Sequence, residues 1–408
     1  MRNSLSPSLL TLVPIVGALL SSPGRADGPA DPLTETTTLV APRDPERFEL
    51  SAVPAVGYNS DAGFGFGVVA SMARYSGSVY PYLWRLRVKG FAVVRPGDDG
   101  AEFPYHDDYV EFDLPTRRGV RTVTRIGFTQ EIASWFGLGN RSPQGHGGRS
   151  TQFLRRYPGA SVGLRLNLPV PRLYVNLFAA FNYNFIEVYD GSKLERDASG
   201  RSGADVAETV RGTNHHALGT VRAGLLWDGR DHETEPTLGM YHELALRAGV
   251  GDGGHLAFGA ANGTLRFYVP LVPDRLTLAM RFMGDVVFGK PPFYELLFLG
   301  DESLVRGVPW RRFHGRIRLL ANVELRAQLV HFTIAKVPFT FGVVAFVDSG
   351  RVFADYQANP TLDGRGAGLK LGTGGGLRLR WGDGFIIRFD TAWSPDGVGY
   401  YVAIDHIF

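Results

Sequence analysis

Residues 317–329 read IRLLANVELRAQL, and apolar and polar side chains alternate along this stretch. The odd positions hold Ile, Leu, Ala and Val, whereas the even ones include Arg, Asn, Glu and Gln. A period of two indicates a β-strand with one apolar and one polar face. The stretch is longer than the roughly five or six residues of a soluble strand and long enough for the about 9–11 residues that cross a bilayer at a tilt. It therefore predicts a membrane-spanning strand.

The same alternation recurs from residue 48 to residue 408 in about sixteen segments. They are residues 48–58, 62–75, 80–95, 105–115, 119–132, 157–169, 172–189, 211–228, 237–250, 256–270, 275–288, 316–332, 337–353, 365–381, 384–393 and 398–408. Every backbone N–H and C=O inside the hydrocarbon layer needs an internal partner, so strands survive there only in a closed barrel. The sequence thus predicts an all-β protein, a transmembrane antiparallel β-barrel of about sixteen strands.

The connections between these segments differ in length on the two sides of the predicted barrel. Residues 116–118, 169–171, 272–274 and 382–384 are short turns, whereas 133–156, 190–210 and 289–315 are long. All the short examples follow even-numbered segments and all the long ones follow odd-numbered segments. Outer-membrane barrels have short periplasmic turns and long extracellular loops. This pattern predicts a periplasmic N-terminus.

The N-terminal residues predict export. Arg2, the apolar run 9–20 and the small-x-small sequence 24–26 are typical of a secretory signal over residues 1–26, with a disordered or helical N-terminus as the alternative. Residues 27–47 are rich in Pro, Thr and charge and are predicted to be a flexible periplasmic leader, too short to fold alone. The barrel then comprises residues 48–408.

Composition excludes several classes of site. The chain has no cysteine, which excludes disulfides and thiolate metal sites, and its formal net charge of +3 gives no footprint for nucleic acid. The G-x-S-x-G match at residues 159–163 lies inside a predicted strand, and the histidines lack the spacing of a zinc site. We therefore expect no enzyme activity, no cofactor and no metal.

Polar positions on the predicted inner face carry both signs of charge. The cations are Arg85, Arg87, Lys89, Arg222, Arg247, Arg266, Arg281, Arg318, Arg326, Arg378, Arg380 and Arg388, and the anions are Glu111, Asp113, Glu243, Asp285, Glu324, Asp348 and Asp390. Opposite charges in a confined space are expected to pair. The sequence therefore predicts an ion-paired interior.

Three local patterns point to a family. They are Val305-Arg306-Gly307 in the loop after the eleventh segment, Phe346-Val347-Asp348-Ser349-Gly350 on the thirteenth, and Asp228-Gly229-Arg230-Asp231 with Pro236 and Gly239 between the eighth and ninth. These resemble the V-R-G-F/Y loop, F-x-D-x-G strand and D-x-R-D…P…G turn motifs of the BamA/TamA-type bacterial surface antigen superfamily. Val308 departs from the aromatic that the family favours. The chain resembles a member without periplasmic POTRA domains.

The resemblance implies that the sixth extracellular loop folds into the lumen. Arg306 would then pair with the inward-facing Asp348, with Glu324 on the adjacent strand as a second acceptor. The alternative is that Arg306 lies on a solvated loop tip. At the other end, Tyr400, Val402, Ile404 and Phe408 are predicted to share one face, and the final Phe resembles the C-terminal signal recognised by the barrel assembly machinery during insertion.

Two functions follow as expectations. The resemblance implies a bacterial outer-membrane protein, surrounded by lipid, that acts in outer-membrane protein assembly or translocation through a weak seam between its first and last strands. Such a barrel without POTRA domains would require a separate periplasmic partner. The alternative is a passive outer-membrane channel for small anionic solutes. A lumen loop that keeps conductance low and unsteady would separate the first function from the second.

Overall fold

The computed structural model describes residues 48–408 except 61, 77–78, 98–99, 116–119, 144–147, 233–234, 335–336, 382–384 and 405. The predicted signal segment 1–26 and leader 27–47 lie outside the described residues. Both therefore remain predictions.

Sixteen strands form one closed barrel in which every neighbouring pair is antiparallel, as the alternation predicts. They are β1 (Phe48–Asn59), β2 (Gly63–Ser76), β3 (Val79–Gly97), β4 (Gly100–Pro115), β5 (Val120–Ser134), β6 (Gln152–Asn167), β7 (Leu173–Val188), β8 (His216–Asp228), β9 (Gly239–Gly251), β10 (Leu256–Val272), β11 (Leu276–Lys290), β14 (Ile317–Ile334), β15 (Val337–Phe353), β16 (Lys370–Trp381), β17 (Phe385–Ser394) and β18 (Gly397–Ile404). A separate hairpin, β12 (Leu297–Leu299) and β13 (Phe313–Gly315), lies in the connection between β11 and β14. The predicted fold class is confirmed.

Strand β14 shows why the chain closes in this way. Its odd positions Leu319, Val323 and Leu325 are exposed on the outside, whereas Asn322 and Glu324 between them are fully buried. Large apolar side chains exposed along a whole wall require an apolar surrounding, and buried polar ones require partners inside. Lipid outside and a polar interior satisfy both requirements.

The inner face of the wall carries ion pairs, most of which join neighbouring strands. They include Arg85–Asp113, Arg87–Glu111, Arg222–Glu243, Arg318–Asp285, Arg326–Glu324 and Arg378–Asp390. Each pair joins side chains that the parity of the strands had placed inward. The predicted ion-paired interior is confirmed for these residues.

The long connections gather at one end of the barrel, which we call the loop end; the opposite end is the turn end. They comprise residues 135–151, 189–215, 291–316 and 354–369. Their apolar side chains, among them Trp135, Leu194, Phe293, Trp310 and Ala354, form one buried cluster over the barrel. The fourth long connection was not predicted, and neither were the short helices α1 (Lys193–Ala198), α2 (Ala204–Thr209) and α3 (Pro360–Asp363). No helix in the described part of the chain is long and apolar enough to span a membrane.

Several strand ends differ from the prediction. β8 begins at His216 and not at residue 211, because Arg211 bridges to Pro292 of another loop. β16 begins at Lys370 and not at residue 365, because glycines at 366 and 368 take positive φ angles that break an extended strand. Conversely, β4 and β6 begin earlier, at Gly100 and Gln152, so that their pairing extends further toward the loop end.

Candidate functional site

The hairpin between β11 and β14 turns back onto the inner face of the barrel wall. β12 and β13 pair from Leu297↔Gly315 to Leu299↔Phe313, and residues 300–312, which we call the loop tip, join them. Val305 and Val308 of the loop tip are buried against Leu320 and Val352, which lie on β14 and β15. This apolar cluster anchors the loop tip beside the inward-facing polar side chains of the same strands.

Arg306 of the loop tip lies against Asp348 of β15. Its Nε donates a hydrogen bond to Asp348 Oδ2 at 2.7 Å and its Nη2 donates to Oδ1 at 2.9 Å, which is a two-pronged contact. The backbone N–H of Arg306 donates to the same Oδ2 at 3.1 Å. Both side chains are 0% exposed. The structure thus brings together the two residues that the motifs singled out.

Two further carboxylates face the same guanidinium. Arg306 Nη1 lies 2.8 Å from Glu324 Oε1, an ion pair without hydrogen-bond geometry, and donates a hydrogen bond to Asp390 Oδ2 at 3.1 Å. Asp390 belongs to β17 and was predicted to face inward but was not assigned to this site. Burial alone would lower the pKa of the Arg306 guanidinium, but Asp348, Glu324 and Asp390 raise it above its ordinary value. Arg306 is therefore held charged.

The surrounding cations balance the excess of carboxylates. Arg326 pairs with Glu324 at 2.8 Å, and Arg378 and Arg388 pair with Asp390 at 2.6 and 3.3 Å. Glu324 and Asp390 are thus shared between the loop tip and wall arginines, whereas Asp348 accepts a hydrogen bond from Asn322 at 2.8 Å. Removing Arg306 would therefore leave buried charges only partly compensated. These contacts hold the loop tip against the inner face of the barrel wall.

Small and aromatic residues of the motifs shape the space around Arg306. Its guanidinium carbon lies 3.3 Å from the centroid of the Phe346 ring, a stacking contact that suits a planar cation. A Cβ at Gly350 would lie 2.5 Å from Leu299, and one at Gly372 of β16 would lie 2.0 Å from the Arg306 carbonyl oxygen. Gly307 has a φ of 85°. Gly372 was missed because no motif includes it.

The wall is paired very unevenly where its first and last strands meet. Within the described residues, the register between β1 and β18 consists of Tyr58↔Val402 and Asn59↔Tyr401. On its other side β1 pairs with β2 along its whole length, from Phe48↔Arg74 to Asn59↔Gly63. A backbone hydrogen bond from Ser60 N to Tyr400 O, 3.1 Å long, extends the contact slightly. We call this junction the seam; it lies at the loop end of β1.

The turn motif between β8 and β9 forms its own compact structure. Arg230 donates two hydrogen bonds to Asp228, from Nε at 2.9 Å and from Nη2 at 2.8 Å. Asp231 accepts a hydrogen bond from the backbone N–H of Thr237 at 3.0 Å, and Pro236 is buried. Gly239 has a φ of 110°, and a Cβ there would lie 2.3 Å from a backbone oxygen. The motif residues therefore fix the shape of this turn.

The same turn reaches across the turn end of the barrel. Glu235 Oε2 lies 2.8 Å from Arg380 Nη1 on β16, and Glu235 Oε1 accepts a hydrogen bond from Gln328 of β14 at 3.1 Å. β14 and β16 are far from β8 and β9 in the strand order of the barrel. Part of this opening is thus bridged by the turn.

The residues after β18 leave the wall. Ile407 and Phe408 are buried in one cluster with Tyr268 and Ala279, which belong to β10 and β11. Arg326 Nη2 donates a hydrogen bond to Phe408 O at 2.9 Å. The segment therefore crosses the interior to the far side of the barrel.

The prediction that Phe408 shares one face with Tyr400 is wrong, while the role of this segment as an assembly signal stays a prediction. Tyr400 is 45% exposed on the outer face, whereas Phe408 is 6% exposed and lies inside. The guanidinium carbons of Arg281 and Arg326 each lie 5.0 Å from the centroid of the Phe408 ring, so an aromatic side chain gains cation–π contacts there that lipid would not provide. Val402 remains in the wall, and Ile404 is the last residue of β18.

The discounted motifs fall on structural positions. The G-x-S-x-G match lies within β6, where Ser161 faces Arg125 and Ala180 in the register. His216 Nε2 lies 2.6 Å from the hydroxyl of Tyr294 in the loop-end cluster. Within the described residues, no group of three His, Asp or Glu side chains is arranged to hold a metal ion.

Comparison with known proteins gives a family and a set of related folds. A sequence model of the Omp85 superfamily domain matches residues 115–403. No curated protein matches the chain. The solved structure of BamA from Haemophilus ducreyi lacking POTRA domains 1–3 is similar with a TM-score of 0.59 and 16% identity, over 88% of this chain and 70% of that one.

Two further solved structures share the fold. CdiB from Escherichia coli has a TM-score of 0.55 and 16% identity, over 87% of this chain and 63% of its own. CdiB from Acinetobacter baumannii has a TM-score of 0.51 and 12% identity, over 88% of this chain and 65% of its own. The chain thus spans less than two thirds of either CdiB protein.

Proposed function

Because the chain belongs to the Omp85 superfamily and is a bacterial outer-membrane barrel, we propose that it assists the assembly or translocation of other proteins at that membrane. The loop end is then extracellular and the turn end periplasmic. In this proposal the client chain meets the membrane at the barrel wall, so the wall itself carries the function.

The short register at the seam is the observation that carries this proposal. β1 and β18 share two register positions in the described residues, whereas β17 and β18 pair from Ile387↔Ile404 to Ser394↔Gly397. Separating β1 from β18 therefore breaks far fewer backbone hydrogen bonds than separating any other neighbouring pair. A strand edge released in this way can pair with a strand of another chain. The seam is thus the natural entry for a client strand.

The contacts around Arg306 support a role in holding the barrel in its resting shape. A loop fixed by three carboxylates and an aromatic ring keeps the interior filled next to the seam. The docking depends on Val305, which packs against the wall, and on Gly307 and Gly350, which leave room for the close approach of loop and wall. The turn motif at Asp228 and Arg230 stabilises the turn that bridges part of the periplasmic opening. In this proposal none of these residues performs catalysis, because carboxylates committed to arginines are not available as bases.

Partners follow from the same geometry. The exposed apolar wall contacts outer-membrane lipid, and the chain itself requires the barrel assembly machinery for insertion, with the β18 residues Tyr400, Val402 and Ile404 as the part of the signal that stays in the wall. A separate periplasmic protein would deliver clients, and the turn between β8 and β9 is the part of the periplasmic end that it would meet.

The alternative of a passive anion channel is less well supported. The loop tip and residues 407–408 occupy the interior, and the inner arginines are paired with carboxylates. We expect single-channel conductance in planar bilayers to be low and unsteady, and to rise when residues 300–312 are replaced by a short Gly-Ser linker. A large steady conductance of the intact chain would favour the channel.

A disulfide across the seam tests the proposed function. Tyr58 and Val402 are directly opposite each other, as disulfide geometry requires of a strand pair, and the chain has no cysteine of its own. The Tyr58→Cys/Val402→Cys protein is reconstituted in vesicles and offered an unfolded outer-membrane barrel protein as client. The rate of client folding is followed by its resistance to unfolding in SDS, under oxidising and reducing conditions. We expect acceleration only when the seam disulfide is reduced.

A matched control places the disulfide in the fully paired wall. Val269 of β10 and Leu278 of β11 are also directly opposite, and their crosslink closes nothing. The Val269→Cys/Leu278→Cys protein is expected to accelerate client folding in both redox states. Equal acceleration by the oxidised and reduced seam protein would refute the proposal. Protease protection of the client distinguishes insertion from translocation across the bilayer.

A further inference from the structure

Among the described residues, the register of the seam includes one inward-facing pair of side chains. Asn59 of β1 lies directly opposite Tyr401 of β18, and the two are 0% and 1% exposed. Their neighbours Tyr58 and Tyr400 are exposed on the lipid side. A group inside the barrel can therefore hold the seam by contacting Asn59 and Tyr401.

The loop tip contacts both members of this pair. Asn59 Nδ2 donates a hydrogen bond to Glu302 Oε2 at 3.5 Å, and the backbone N–H of Gly307 donates to the Tyr401 hydroxyl at 2.9 Å. The other carboxylate oxygen, Glu302 Oε1, lies 3.5 Å from Arg388 Nη2 of β17. One loop thus touches the first strand and the last two strands of the barrel.

The loop tip contacts the two strands of the seam through different groups. On the β18 side, Gly307 follows Arg306, which is fixed to the wall, and Ser394 Oγ donates a further hydrogen bond to the Gly307 carbonyl at 2.7 Å. On the β1 side, the loop tip contacts Asn59 through the carboxylate of Glu302. A 3.5 Å hydrogen bond lies at the weak end of the range.

We propose that the loop tip is a clasp across the seam, and that Glu302 is the positioning residue that holds β1 against it. This inference rests on the proposed function, because a clasp matters only if the seam opens.

Crosslinking across the seam tests the clasp directly. The full chain with Tyr58→Cys and Val402→Cys in vesicles is treated briefly with a mild oxidant, and the crosslinked fraction is read by gel mobility after proteolytic cleavage. Adding Glu302→Ala is expected to lower the initial rate of crosslinking several-fold. Adding Glu302→Gln, which keeps an acceptor for Asn59, is expected to restore most of it. Resistance to SDS at room temperature shows that each protein is folded.

Glu111→Ala is the matched control. Glu111 is also a 1% exposed inner glutamate, and it pairs with Arg87 and Arg125 of β3 and β5, away from the seam. This variant is expected to crosslink at the parent rate. A folded Glu302→Ala protein that also crosslinks at the parent rate would overturn the clasp.

A second variant keeps the test decisive if Glu302→Ala does not fold. Asn59→Leu removes the same hydrogen bond from the β1 side and should lower crosslinking in the same way; an unchanged rate there also overturns the clasp. The clasp and the proposed function fail separately. Loss of the clasp leaves the effect of the seam disulfide on client folding intact, whereas an inactive barrel still shows the Glu302 effect on crosslinking.

Discussion

β14 and β15 are joined differently from β1 and β18. The first pair is hydrogen-bonded from Ile317↔Phe353 to Ile334↔Val337, with one register shift near Val330. The second pair shares Tyr58↔Val402 and Asn59↔Tyr401 in the described residues. Most of the wall is therefore held by backbone hydrogen bonds, whereas at the seam the loop tip adds its own contacts to Asn59 and Tyr401. Mutations that leave the wall intact can still change the seam.

The largest effect is expected from Arg306→Ala. This substitution should weaken the docking of the loop tip and leave the backbone hydrogen bonds of the wall in place. It leaves Asp348, Glu324 and Asp390 buried without their shared cation, and breaking such a contact typically costs about 3–5 kcal/mol. We expect a much lower urea midpoint for barrel unfolding in vesicles and reduced accumulation in the outer membrane.

Arg201→Ala is the control for that measurement. Arg201 pairs with Glu195 on an exposed loop and is 60% exposed, so its loss should leave the urea midpoint almost unchanged. Wild-type folding yield and midpoint in the Arg306→Ala protein would contradict the assigned role of Arg306.

A smaller effect is expected from Gly372→Ala, which adds one methyl group where the wall touches the loop tip. The new Cβ would lie 2.0 Å from the Arg306 carbonyl, so the loop tip must shift, and overpacking of this kind costs about 1–3 kcal/mol. Gly263→Ala in β10 is the control, since its nearest neighbour would be 3.7 Å away. The comparison is made on urea midpoints, and equal midpoints for the two variants would exclude close docking at Gly372.

The seam should also respond to pH through Glu302. Burial raises the pKa of this carboxyl to about 8 against the lowering effect of Arg388, while Asp301 and Asp390 nearby raise it further. Because the folded pKa exceeds the value of about 4.3 in an unfolded chain, the folded state binds the proton more tightly. The resulting stability is fully present below about pH 4 and is lost as pH rises through 8.

The measurement for this prediction is the urea midpoint between pH 5 and pH 9 for the parent and for Glu302→Gln. Glutamine cannot ionise, so the variant should lose less stability than the parent over this interval. Parallel curves for the two proteins would show that Glu302 does not titrate there.

The smallest effect is expected at the periplasmic opening, far from the seam. Glu235→Gln removes the charge that faces Arg380, whose side chain is 30% exposed, and partly solvated pairs of this kind contribute at most about 1 kcal/mol. The urea midpoint should fall slightly at low salt and match the parent at high salt, where the pair is screened. A loss as large as that of Arg306→Ala would mean that the turn closes the barrel more firmly than its exposure indicates.

The alternation of apolar and polar residues predicted the strands of the wall well, because the face on which a side chain lies depends on its position within its own strand. In residues 317–329 each side chain faces lipid or the interior according to its parity, and the exposed Val323 beside the buried Glu324 follows that rule. The motifs around Arg306 and Asp348 predicted one contact between a loop and a strand. Asp390 was absent from that prediction because nothing in the sequence specifies which inward-facing carboxylates a folded loop will reach.

Phe408 illustrates the same limit from the other side. Its parity predicted one face shared with Tyr400, but Phe408 lies inside the barrel, where the guanidinium groups of Arg281 and Arg326 provide cation–π contacts. Such a choice depends on groups from three different strands. A local pattern cannot represent it.

The sequence by itself determined the sixteen-strand membrane wall, the side on which the long loops lie and the pairing of charges inside, because the bilayer imposes a period of two on each strand separately. A weak seam between the first and last strands was already expected from the resemblance, but only the tertiary structure placed Glu302 and Gly307 beside the two strands that meet there. A seam and the loop that holds it involve residues from opposite ends of the chain, and their contact exists only after the barrel has closed.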